Sequence, residues 1–146
     1  MTNALAETTQ TLTYVTKGFT DDVTECEICG REELKGTVRL EITAPDGDVE
    51  GEVYAGVSCA GRRAGRPAAV IRSEAKAHET AVRAAWSAYR AAQHDAHMAA
   101  STAALGRLGL ERRPRNLAAV DVEPGYVAEM AAWEDGHPAP ERPRGW

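Results

Sequence analysis

From Ala68 to Leu105 the chain contains neither proline nor glycine. These are the two residues that break a helix most effectively, and the stretch is rich in alanine, the best helix former. It therefore predicts one helix, nearly 60 Å long at about 1.5 Å per residue if unbroken. Gly106 and Gly109 are placed to end it, and Pro67 to sit in its first turn. At 100° per residue, Ile71, Ala75, His78, Val82, Ala85, Tyr89, Ala92 and Ala96 fall on one stripe, flanked by Trp86. Such a seam of small side chains lets another helix approach closely, from the C-terminal segment or from a second protomer.

The residues before this helix read differently. Thr11–Gly18 alternates and is rich in Thr, Tyr and Val, which predicts a strand, with a polar turn from Phe19 to Asp22. Thr37–Thr43 places Val38, Leu40 and Ile42 on one face and Arg39 and Glu41 on the other. Pro45-Asp46-Gly47-Asp48 is a turn signal, and strand character resumes over Glu50–Val57. Ser58 is placed to cap a short helix containing Cys59, which Gly65 would end. After the long helix, Pro124 starts a last short helix with Tyr126, Val127, Met130 and Trp133. Pro138, Pro140 and Pro143 then oppose any ordered element. The expected fold class is α+β. A flexible leader (1–10) precedes a small β-rich module (11–65), a helical region (66–135) and a disordered tail (136–146).

Only 5% of residues are aromatic, so the core is thin and would gain from a metal or a partner. Cys26 and Cys29 stand in a C-x-x-C-G arrangement. Two intervening residues let a tight turn aim both sulfurs at one ion. Cys59 follows the hairpin, at the start of a helix whose N-terminus favours a thiolate. These spacings predict a structural Zn2+ held by Cys26, Cys29 and Cys59. Candidates for the fourth ligand are Asp22, beside Asp21, and His78, with a water or a partner chain as alternatives. A thioredoxin-like redox pair would need a strand before it and a helix directly after it, and neither is evident. His94 and His97 lie one turn apart, as a weak chelating pair or as exposed residues. Nothing is expected of His137.

The order of knuckle, hairpin and cysteine-bearing helix resembles a treble-clef or zinc-ribbon-like finger. It departs from that pattern where the second helix ligand would stand, because Arg62 and Arg63 occupy that region. The stretches from Thr20 to Val38 (Cys26-Glu-Ile-Cys29-Gly, then Leu34-Lys-Gly-Thr-Val38) and from Tyr54 to Ala60 (Gly56-Val-Ser-Cys59-Ala) also resemble small actinobacterial and actinophage proteins. The resemblance covers about residues 11–65. It implies a zinc-finger-like N-terminal module and no activity.

Charge is uneven along the chain. Residues 1–65 carry 6 basic and 12 acidic side chains, 66–116 carry 9 and 4, and 117–146 carry 2 and 6. Arg72, Lys76, Arg83 and Arg90 form a basic stripe beside the apolar one, which could follow a phosphate backbone. The chain as a whole is acidic, at −5, and no aromatics interleave with these cations, so a solvated or internally paired face is the stronger reading.

There is no G-x-S-x-G, no phosphate loop and no H-E-x-x-H. Glu32-Glu33 and Asp46-Asp48 suit a loop and a turn better than an acid–base pair. The leading expectation is a non-enzymatic zinc-binding interaction or regulatory protein that contacts a protein partner or self-associates. Nucleic-acid binding through the basic stripe is the alternative. A metal-dependent enzyme with an open zinc position stands third. The first ten residues resemble neither a secretory signal nor a transit peptide, no run is long enough to span a bilayer, and three cysteines cannot all pair within one chain. These features predict a reducing cytosol, and the resemblance implies that of a bacterial host.

Overall fold

The computed structural model describes residues 11–145, and the leader expected over 1–10 lies outside them. The fold is α+β. Strands β1 (Thr13–Thr20), β2 (Thr37–Thr43) and β3 (Val49–Ala55) form an antiparallel sheet in the order β1-β2-β3. Helix α1 (Val57–Ala64) and the long α2 (Ala68–Leu108) follow, then a 3-10 turn (Pro114–Asn116), α3 (Leu117–Asp121) and α4 (Pro124–Gly136). The chain divides within α2 into two compact units, one ending at Ala81 and the other beginning at Val82.

In the first unit, Val38 and Leu40 on β2 are fully buried. They pack with Ala55, Ala60, Ile71, Cys26 and Cys59. Side chains alternate across a strand, so this inward set leaves Arg39 and Glu41 on the opposite face. Arg39 there lies 3.7 Å from Glu52. β1 runs two residues beyond the expected Gly18 boundary. Its register with β2 shifts between Thr16 and Phe19, which is the signature of a bulge. Gly18 lies at the bulge with φ of 89°, and a Cβ there would stand 3.3 Å from the His78 ring. Glycine thus permits both the bend and the close approach of α2. Thr16, buried, donates to the Glu74 carboxylate at 2.8 Å, and Arg66 donates to the same oxygen through Nη2 at 2.9 Å and forms an ion pair with the other through Nε at 2.9 Å. The start of α2 is thereby tied to β1 by three polar groups as well as by Ile71.

α1 begins one residue before the expected Ser58 cap. Gly56 holds the cap position without a side-chain bond, and its carbonyl accepts from the Ala60 N–H at 2.8 Å. Gly65, in the left-handed conformation, ends the helix as expected. α2 continues unbroken through Gly106. It closes at Gly109, where the Leu110 N–H bonds back to the Leu105 carbonyl at 2.9 Å.

In the second unit, Ala104, Leu105 and Val120 form a small core with Tyr126 packed on it. Of the expected stripe, Val82, Tyr89 and Ala96 are partly buried here, but Ala85 and Ala92 are exposed, and Trp86, Gln93 and His97 are partly buried beside it. Alanine occurs on every side of this helix and gives no direction. The aromatic contacts set it, with Tyr89 5.5 Å from Trp133 and 5.7 Å from Trp86. Residues 137–145 form no helix or strand, yet His137 stacks on Trp133 at 4.4 Å and Pro143 is buried. No helix among the described residues is long and apolar enough to cross a membrane.

Candidate metal centre

The knuckle is built by its own backbone. Cys26 N–H donates to the Arg31 carbonyl at 2.9 Å, Gly30 N–H to the Cys26 carbonyl at 2.8 Å, and Leu34 N–H to the Thr24 carbonyl at 2.9 Å. Two further bonds clasp it to the end of β3. Glu27 N–H donates to the Tyr54 carbonyl at 2.9 Å, and Tyr54 N–H donates to the Glu27 carboxylate at 2.7 Å. The chain then turns at Gly56 into α1 and presents Cys59 from the first turn of that helix. Residues 30 positions apart in sequence are thus brought to one place by the hairpin between them.

The sulfurs of Cys26, Cys29 and Cys59 lie within 4.8 Å of one another, an arrangement suited to a metal ion. Cys26 and Cys59 are buried and Cys29 is exposed; all three are free of disulfides. Burial pushes the Cys26 thiol up. The backbone N–H groups of Cys29, Gly56 and Ile28, with the Cys29 side chain, outweigh it and bring the thiol down to about 7. The Cys59 thiol moves the other way. Its hydrogen bond with Cys29 and its burial raise it, against the pull of Arg62. Arg62 Nη2 donates to Cys59 Sγ at 3.4 Å.

The other site residues expected from sequence stand apart. Neither Asp22 nor His78 belongs to the sulfur group. Asp22 is exposed, with its N–H on the Thr20 hydroxyl at 3.2 Å, and His78 is half-buried beside Gly18. Arg72, Lys76, Arg83 and Arg90 are all exposed on α2. Asp46 accepts from the Asp48 N–H at 3.0 Å, a turn contact, and Glu32 and Glu33 are exposed. Sequence reasoning excluded Arg62 as a ligand and missed its contact with a ligand-type sulfur. Its place three residues after Cys59, one helical turn on, is the signal that could have found it. The Glu27–Tyr54 clasp had no signal, because it depends on the register of β3 against the knuckle.

His97 Nδ1 lies 2.7 Å from the Tyr126 hydroxyl, and His94 is exposed. Both line a cleft of about 350 Å³ with Arg90, Tyr126 and Glu134. Comparison with family models, curated proteins and solved structures gives no match for the chain.

Proposed function

We propose that Cys26, Cys29 and Cys59 hold one structural Zn2+, and that the chain is a small non-enzymatic interaction or regulatory protein working through protein–protein contacts. The carrying observation is the convergence of three sulfurs from two separate segments within 4.8 Å. Zinc–thiolate bonds of about 2.3 Å place tetrahedral sulfurs roughly 3.8 Å apart, so a small contraction of this cluster accommodates the ion. The donor set is soft, which suits zinc. The backbone N–H groups directed at Cys26 and the Arg62 contact at Cys59 offset thiolate charge.

Bound there, zinc would crosslink the knuckle to α1 and supply stability that a thin core lacks. The reading agrees with the zinc-finger-like module of actinobacterial and phage type that the sequence resembles, and with a cytosolic setting. Zinc uptake by the reduced full-length chain, followed by calorimetry, tests it: one ion per chain supports the site, and no uptake refutes it.

The nucleic-acid reading retains one observation, the exposure of Arg72, Lys76, Arg83 and Arg90 on one helix. Binding to duplex DNA that weakens steeply with salt, and disappears when all four are changed to Glu, would favour it.

A further inference from the structure

A structural tetrahedral zinc site is completed by four donors. Among the described residues, the sulfur group comprises three. The region one helical turn beyond Cys59 carries the cations Arg62 and Arg63, which cannot ligate. Cys26 and Cys59 close the cluster toward the core, and Cys29 brings it to the surface. We infer that the fourth coordination position opens beside Cys29 and takes an external thiolate, from a cysteine of a partner protein. The inference rests on the zinc reading above.

Two features favour sulfur over a neutral imidazole. Three thiolates already define a soft donor set. The extra negative charge of a fourth is met locally by the Arg62 guanidinium, 3.4 Å from Cys59 Sγ. A second copy of the chain is a poor source, because all three of its cysteines are engaged in its own cluster. The step involves no electron transfer. The incoming S–H releases its proton to solvent as the sulfur–metal bond forms, and acid reverses it. The zinc would then be both a fold staple and the point at which a partner is captured.

The test uses the reduced full-length chain, freed of reductant and loaded with Co2+, whose sulfur-to-metal absorption reports thiolate ligation. It is titrated with N-acetylcysteine amide, and separately with imidazole. The expected result is a saturable rise in that absorption of about one third, one thiolate joining three. Imidazole should not reproduce it. In cobalt-loaded Arg62→Gln the thiol should bind roughly fivefold more weakly, the loss of one charge-assisted contact. A loaded protein whose spectrum ignores the thiol would mean that the position is closed, and would overturn the inference while leaving the metal site standing. A response to imidazole alone, or extraction of the cobalt by the thiol, would also overturn it. Failure to bind cobalt or zinc at all would remove the metal reading together with this one.

Discussion

Leu40→Ala probes the link between the core and the metal centre. Leu40 is fully buried on β2, in one cluster with Cys26, Cys59, Ala55, Ala60 and Ile71. Truncating a fully buried leucine costs about 2–5 kcal/mol, and about 3 kcal/mol suits a site with small alanine neighbours that can partly close on the cavity. A unit of this size has only about 3–5 kcal/mol from its own core. The metal-free variant should therefore lose most of its folded population in this unit. Zinc bound only to the folded state returns about 4 kcal/mol at a free concentration near 1,000 times its dissociation constant, enough to restore it. Hydrogen exchange of the Thr37–Thr43 amides, with chelator and with buffered zinc, reads the outcome strand by strand. Protection in the variant should collapse with chelator and return with zinc. A variant that keeps its protection in chelator, or zinc that leaves protection unchanged in both proteins, would refute the coupling.

Other perturbations have defined outcomes. A Cβ on Gly61 would stand 2.6 Å from the Arg66 carbonyl oxygen and 3.2 Å from the Ala68 nitrogen; Gly61→Ala should therefore cost about 2 kcal/mol or more in urea denaturation, whereas Gly51→Ala, with open space, should cost little. Glu74→Ala removes the acceptor of the buried Thr16 hydroxyl and the ion pair of Arg66, which keeps its bond to the Tyr14 carbonyl, and should lower first-unit stability by about 1–3 kcal/mol in the same assay. Glu33 is a non-glycine residue at φ of 57°, so Glu33→Gly should leave the melting temperature unchanged or raise it. The Arg107 guanidinium, and then the Tyr126 N–H, hold the Glu123 carboxyl down to about 2 from 4.5. Its contribution is complete above about pH 4.5 and is lost as pH falls through about 2. Tryptophan fluorescence of the second unit should change in that window, and Glu123→Gln should remove this acid-sensitive step.

Much of the first unit was legible in the sequence, for physical reasons that differ by element. β2 has the residues expected, Thr37–Thr43, because strict alternation over seven residues admits only one buried face. The extent of α2 followed from the absence of Pro and Gly. The glycine at 106 did not stop it, since an isolated glycine costs only about 1 kcal/mol. β1 was cut short at Gly18, because a bulge glycine and a terminating glycine look alike without the partner strand. The cap of α1 is Gly56 rather than Ser58, which lies inside the helix as its second residue. α3 was not anticipated; its five residues carry no helical period long enough to read.

In the second unit, Tyr89 meets Trp133 of α4 and Trp86 packs beside Tyr89, while Ala85 is exposed. Alanine spacing cannot encode which side faces an aromatic partner. For the metal centre, the spacing indicated the three cysteines, and the hairpin brings their sulfurs together. Of the groups around the sulfurs, the Gly56 amide at Cys26 depends on tertiary placement, whereas the Ile28 and Cys29 amides and the Arg62 contact are local in sequence.

The most direct measurement of the central claim is native mass spectrometry of freshly purified, reduced full-length protein, beside Cys26→Ser and Cys59→Ser. The account predicts one zinc per chain in the parent protein and none retained by either variant. A metal-free parent that also fails to take up added zinc, or variants that keep the ion, would contradict it.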